Sequence, residues 1–410
     1  MTTLLFLFSL VSGWTAYNLY HPIHHRGVAS VVSFLAGWLV GELALHVIAV
    51  QLFLVFLFAW AGAIEGLLGA LALLVFVVSW AAMGYFYLTG RDARATVAGA
   101  LQAGLGEGFL ETIPQDVWMK FPKHPDARRL KLPFAGIDSR VEVIKDVPFG
   151  THAQRLDIYR PRRQVQRRPV LLQIHGGAWT EKMGSKNEQA IPLMSHMAQR
   201  DWICVSVDYR LSPGATFPEH LIDCKEGLAW IRANIAEYGG NPDFVVVTGG
   251  SAGGHLCAMM ALTQNDPQYQ PGFENADTSV VAAVPFYGVM DFTRPFESDG
   301  AADLIEKSVM KRRRRDDLTL FEQASPLYLV SEDAPPFFVI QGDMDTLVPV
   351  DEARQFVSAL RKVSRQPVVY AEIEGAQHAF DMFPSIRSEH VKHGVEKFLA
   401  WVHANYPAKG

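Results

Sequence analysis

Residues 245–256 read VVVTGGSAGGHL. A valine run ends abruptly in Gly249 and Gly250, and Ser251 follows before Ala252, Gly253 and Gly254. An apolar run that stops this way and resumes as a helix-compatible stretch predicts strand, sharp turn, helix. A serine at such a turn has a strained backbone and an exposed hydroxyl. Gly249 and Gly253 would let the two limbs of the turn approach closely. A G-x-S-x-G match also occurs in ordinary glycine-serine turns, so the surrounding chain has to decide.

From residue 141 the punctuation is regular. VEVIKDVPF (141–149) and RLDIYRP (155–161) read as an opening antiparallel ribbon. Apolar runs at 169–174, 202–210, 243–248, 280–288, 337–342 and 367–375 read as strands. Helical stretches fall between them at about 185–199, 218–239, 251–264 and 351–363, with a last one at 386–404. Strands alternating with helices predict an α/β fold, a mainly parallel sheet covered on both faces.

Chemistry in such a sheet collects at the carboxyl ends of the strands. There the sequence places His175-Gly176-Gly177-Ala178-Trp179, then Ser251, then Gly342-Asp343-Met344-Asp345, then Gly375-Ala376-Gln377-His378. The chain order serine, acid, histidine is that of α/β-hydrolases. HGGAW, DYRLSP (208–213), GGSAGG, GDMDTLVP and GAQHAF together resemble carboxylesterases of the hormone-sensitive-lipase and feruloyl-esterase-like branches of that superfamily. NIAEYGGNPDFVVVTGGSAGGH is also similar to isoprenylcysteine methylesterases. The resemblance covers about 141–404 and implies an α/β-hydrolase fold with a serine nucleophile. Two departures stand out: HGGA replaces HGGG, and GGSAG replaces the commoner GDSAG.

Ser251 is the candidate nucleophile and His378 the base that takes its proton and later protonates the leaving group. Asp345 would orient the imidazole, with Asp343 as rival on the same strand end; the resemblance favours Asp345. Backbone N–H groups of Gly176, Gly177 and Ala252 are the candidate oxyanion hole. His175 is a supporting residue, as are Gly249 and Gly253. Asp208, Tyr209 and Arg210 brace the site. Trp179, Phe286, Tyr287 and Phe380 are candidate pocket aromatics. No cofactor and no metal is expected, since no phosphate loop, H-E-x-x-H or dinucleotide fingerprint occurs in context. The reading is a carboxylic ester hydrolase acting on acyl esters, with lipid-derived esters as one candidate class. An amidase, formamidase, peptidase or acyltransferase on the same acyl-enzyme, or an inactive membrane scaffold, are the alternatives.

The first 90 residues have different physics. Arg26, Glu42 and Glu65 are their only Asp, Glu, Lys or Arg residues. Apolar blocks occupy about 4–20, 28–63 and 66–88, against the roughly 20 residues a bilayer crossing needs. They predict an all-α transmembrane region of about three spans, the second block being one tilted helix or two short crossings. Arg26, Arg91 and Arg94 then share one side, which the positive-inside bias makes cytoplasmic, with the catalytic region. Glu42 and His46 form an ionisable pair one turn apart in that region. The expected domains are 1–90 transmembrane, 91–140 linker, and 141–410 catalytic with a lid-like insertion at about 289–336. All catalytic motifs lie beyond residue 141, so residues 1–90 are expected to supply location rather than chemistry.

The net charge of −5 argues against a nucleic-acid partner. Lys311, Arg312, Arg313, Arg314 and Arg315 are either a solvated face or a membrane-docking patch. Cys204, Cys224 and Cys257 have no metal-type spacing and read as small buried hydrophobes.

Overall fold

The computed structural model describes residues 1–24, 27–294 and 302–406. Arg26, used above for orientation, lies outside the described residues, as does 295–301 of the insertion expected as a lid.

The sheet has eight strands in the order β1-β2-β4-β3-β5-β6-β7-β8. β1 (Val141–Phe149) and β2 (Gln154–Pro161) form the expected antiparallel ribbon, and β2 joins β4 (Ile203–Val207) antiparallel. β4, β3 (Arg168–Ile174), β5 (Gly240–Gly250), β6 (Ala282–Phe286), β7 (Phe337–Gly342) and β8 (Val368–Ile373) are parallel. These strands read as continuous apolar runs because both faces are covered: every residue of β4, β6 and β7 is buried. All three cysteines are buried free thiols. Their burial pushes each thiol pKa up, which leaves them packing groups.

One helix begins later than the sequence predicts. The stretch expected from about 185 becomes helical only over Ile191–Gln199. Residues 184–190 instead form a loop pinned to the sheet. Ser206 Oγ donates to Lys186 O at 2.9 Å, and Lys186 Nζ donates to Asp157 at 2.7 Å and Asp146 at 2.8 Å. The described part of 289–336 is folded into the core: Met290, Phe292, Ile305, Val309, Met310 and Phe321 are buried.

The apolar region forms α1 (Thr2–Asn18), α2 (Val28–Glu42), α3 (Ala44–Trp60) and α4 (Gly66–Thr89). The second block is not one tilted helix, because it breaks into α2 and α3, which meet at 92°. Ala16, Leu19, Ala44, Met83 and Phe86 cluster at one end of the helices, and Leu5, Val55, Ala63, Ala72 and Phe76 at the other. So α1, α3 and α4 run alongside one another between two levels. Gly66–Leu105 is a 40-residue helix, the one among the described residues long and apolar enough by itself to cross a membrane. Its second half, α5 (Ala93–Leu105), lies in the stretch expected as a linker. It is packed on the catalytic sheet instead: Ala93, Val97 and Leu101 are buried in one cluster with Val369 and Ala371 of β8. Gly104 lies so close to β8 that an added Cβ would stand 2.7 Å from Val369 Cγ2.

Candidate active site

The turn after β5 has the geometry that its glycines suggest. Ser251 sits at φ 59°, ψ −121°, outside the regions a serine ordinarily adopts, and the helix Ala252–Leu262 starts directly after it. A Cβ on Gly253 would lie 2.1 Å from Ile174 O, and one on Gly249 2.3 Å from Gly253 O. Only hydrogen at both positions lets the helix start this close to β3. The Ser251 N–H donates to Phe286 O at 3.0 Å, which fixes the turn to β6.

Three chain-distant groups meet at this turn. His378 Nε2 is 2.8 Å from Ser251 Oγ, and His378 Nδ1 is 2.7 Å from Asp345 Oδ2. Asp345 is buried and fully engaged. Its Oδ1 accepts from Leu347 N and Val348 N, each at 2.8 Å, and its Oδ2 also accepts from Gln341 Nε2 at 3.1 Å. Asp343 points elsewhere: Oδ1 accepts from Gly375 N at 2.8 Å, bracing the loop that carries His378, and burial raises its pKa. Gln377 joins the acid and histidine loops. Its Oε1 accepts from Thr346 N at 2.8 Å and from His378 N at 2.9 Å.

Of the candidate oxyanion donors, Gly176 is turned away. Its N–H donates to Gln189 Oε1 at 2.5 Å, a partner that the sequence reading missed. Gln189 lies in the 184–190 loop, which carries no motif, and only the folded loop brings it to Gly176. The N–H groups of Gly177 and Ala252 have no acceptor among the described residues. Gly177 has φ +111°, and an added Cβ would overlap Met183 O at 1.6 Å. Ala252 opens an 11-residue helix, whose dipole adds to its N–H in favouring negative charge.

The supporting residues are below the site. His175 is buried, stacks on Tyr209 at 4.5 Å, and bonds Gly176 O through Nδ1 at 2.7 Å. Burial lowers its pKa to about 4, so it remains neutral. Tyr209 donates to His175 O at 3.0 Å, and Arg210 is paired with Asp223 at 2.7 Å and Glu219 at 2.9 Å. Burial raises the Asp208 pKa; Oδ1 lies 3.9 Å from His175 Nε2. Among the aromatics, the Tyr287 ring is 4.7 Å from that of His378, and its hydroxyl donates to Asp381. Trp179 packs on His255 at 5.2 Å and Phe292 at 5.3 Å, beyond the helix start, while Phe286 and Phe380 are core residues. A surface depression of about 430 Å³ lined by Arg354, Val357 and Tyr370 includes none of these groups.

The comparisons with known proteins agree with this architecture. The BD-FAE family profile matches residues 156–360. The chain is 44% identical to "Probable carboxylic ester hydrolase LipM" of Mycobacterium tuberculosis, over 95% of this chain and 91% of that protein. The chain belongs to the BD-FAE family. It is a carboxylic ester hydrolase. The resemblance to isoprenylcysteine methylesterases also holds: it is 28% identical to "Probable isoprenylcysteine alpha-carbonyl methylesterase ICMEL1" of Arabidopsis thaliana, over 59% of this chain and 52% of that protein. The fold matches the esterase of Pyrobaculum calidifontis with a TM-score of 0.55 at 24% identity, over 65% of this chain and 86% of that one.

The apolar region reaches this site. Trp38 Nε1 donates to Ala379 O, next to His378, at 2.9 Å, and the Phe34 ring is 6.0 Å from that of His378 in an edge arrangement. Residues 1–90 therefore touch the candidate active site, which differs from the expectation that they supply location alone. Glu42 pairs with Arg387 at 4.0 Å, whereas His46 is half-buried and bonds Lys131 O at 3.2 Å. The two residues expected as a pair thus face different partners.

Proposed function

We propose that this ester hydrolase is a membrane-anchored serine enzyme that cleaves acyl esters through Ser251, His378 and Asp345. The continuous hydrogen-bonded line from Ser251 Oγ through the imidazole to Asp345 carries the reading. Nε2 takes the hydroxyl proton as Oγ attacks the ester carbonyl carbon. Asp345 keeps the other ring proton on Nδ1 and stabilises the imidazolium that forms. The carbonyl oxygen becomes an oxyanion facing the N–H groups of Gly177 and Ala252. Collapse breaks the bond to the alcohol oxygen, which leaves with the proton from Nε2. Water then repeats the sequence on the acyl-enzyme and frees the acid.

The anchor reading is supported by the outward faces of α1, α3 and α4, where Leu7, Val11, Phe53, Phe56, Leu74 and Val78 are exposed. Such faces are costly in water. A 17-residue helix is about 25 Å long, close to the hydrocarbon thickness. Arg91 and Arg94 follow α4 at the catalytic end, while Glu65 marks the other, which favours a cytoplasmic catalytic domain. Lys311, Arg312, Arg313 and Arg315 are exposed and offer positive charge to anionic headgroups, while Arg314 is half-buried and donates to Thr293 O at 2.9 Å.

Turnover of p-nitrophenyl butyrate by Ser251→Ala tests the mechanism. The expected loss is at least about three orders of magnitude in kcat. Activity equal to wild type would show that Ser251 is not the nucleophile.

A further inference from the structure

α2 is shaped to lie between two environments. Ser30, Phe34, Gly37 and Trp38 recur at helical spacing on one face and contact the catalytic domain. Val28, Val31, Val32, Leu35 and Leu39 are exposed on the other. The inner face engages both loops of the candidate triad. Ser30 O accepts from Thr346 Oγ1 at 3.2 Å, beside Asp345. Gly37 faces Gln377, the residue that ties the acid loop to the histidine loop; an added Cβ would stand 3.5 Å from its Nε2. Trp38 stacks on Phe383 at 5.0 Å and on Phe34 at 5.6 Å while it bonds Ala379 O. Ala379 has φ +58°, a strained conformation for alanine that a fixed partner helps to hold.

The position of Phe34 also assigns a side of the substrate. Nε2 of His378 must reach the leaving oxygen to protonate it, so the alcohol portion lies against the imidazole. Phe34 borders that imidazole. Trp179, His255 and Phe292 pack on one another, with His255 one helical turn after Ser251, and none of them has a ring contact with His378 among the described residues.

Resting on the Ser251–His378–Asp345 mechanism above, we propose that α2 is part of the active site. Trp38 is a positioning residue for the His378 loop, and Phe34 is the specificity-determining wall for the alcohol portion of the ester. The alcohols that fit are bulky and apolar, with aliphatic or aromatic surface to lay against Phe34.

The test uses the full chain in detergent micelles, with two ester series. One varies the acyl chain on p-nitrophenol; the other varies the alcohol of acetate esters from methyl to octyl and naphthylmethyl. Ser251→Ala must abolish turnover of both, and failure there refutes the mechanism rather than the role of α2. Trp38→Phe keeps the ring stack and removes only the hydrogen bond. It should lower kcat about threefold to tenfold at unchanged KM, as expected for one lost hydrogen bond. Phe34→Ala should reduce kcat/KM for octyl and naphthylmethyl acetate about threefold to tenfold relative to methyl acetate, the scale of one aromatic contact. Phe34→Leu should restore most of the octyl preference. The acyl series should keep its slope in all three variants. Unchanged kcat in Trp38→Phe, or an unchanged alcohol series in Phe34→Ala, would overturn the proposal. So would a change of slope confined to the acyl series.

Discussion

Asp343 and Asp345 are two residues apart on one strand end, and their asparagine variants separate positioning from bracing. All four hydrogen bonds of Asp345 come from donors: Leu347 N, Val348 N, Gln341 Nε2 and His378 Nδ1. Asparagine offers one carbonyl oxygen and one amide. The two backbone N–H groups cannot turn away, so the carbonyl stays with them and the amide faces His378. Nδ1 must then accept, and the ring proton moves to Nε2. An Nε2–H cannot take the proton of Ser251. The wrong tautomer costs about 10⁴ in kcat, roughly 5.4 kcal/mol at 1.36 kcal/mol per decade. Asp343 accepts a single backbone bond, from Gly375 N, and the oxygen of asparagine accepts it equally well. Asp343→Asn should therefore stay within about threefold of wild type, the scale of a modest change in one hydrogen bond. Steady-state hydrolysis of p-nitrophenyl butyrate, with kcat and KM fitted separately, reads both. If Asp345→Asn keeps a tenth of its kcat, or Asp343→Asn falls as far, the assignment of the acid is refuted.

Arg387 is buried at the junction of the helical and catalytic regions. It donates to Glu374 O at 2.9 Å and Phe86 O at 3.3 Å, and lies over the Phe86 ring at 4.3 Å. Arg387→Met leaves Glu42 buried without its cation and should destabilise by about 3–5 kcal/mol, whereas Glu42→Gln should cost less and the double variant less than the sum. Thermal unfolding in detergent measures this, and additive effects would refute the coupling. Burial pushes the Glu352 carboxyl, which accepts from Met290 N at 2.9 Å, up to about 7. A raised carboxyl contributes stability that is complete below its ordinary 4.5 and lost as pH rises through 7. Buried His175 and His255, whose pKa values are lowered to about 4, pull the other way below their ordinary 6.5, so the Glu352 contribution is read as a difference: from pH 5 to 8 wild-type Tm should fall relative to that of Glu352→Gln. Glu396, which burial also raises to about 7, is common to both proteins and cancels in the comparison. An identical pH profile for the variant would refute the shift.

Most of the catalytic half was legible because each signal in it is local. An apolar run covered on both faces becomes a parallel strand, and glycines where backbones touch mark the serine turn. The order Ser251, Asp345, His378 then places three side chains at the carboxyl ends of β5, β7 and β8. Gln189 was not legible, because the 184–190 loop is shaped by Lys186 and Ser206 rather than by its own pattern. Which aspartate faces His378 was only partly legible, since spacing alone does not separate two aspartates two residues apart.

The role of α2 was hidden for a different reason. Hydropathy rises to the same level whether an apolar residue faces lipid or a protein partner, so Phe34 and Trp38 look like any other residues of the second block. A signal was present in the small residues Ser30, Ser33, Gly37 and Gly41, spaced three and four apart, since small residues mark where another surface comes close. Trp38 and Ala379 are 341 residues apart, a pairing no local pattern encodes. On the same side, α4 runs on into α5, which packs on β8. The result is α2 against the His378 loop, with its other face apolar and exposed. If α1, α3 and α4 cross a bilayer as proposed, a helix at 92° to α3 at the catalytic end lies along the bilayer surface. On that proposal, an ester that approaches Ser251 from the side of α2 passes Phe34, whose ring borders that of His378.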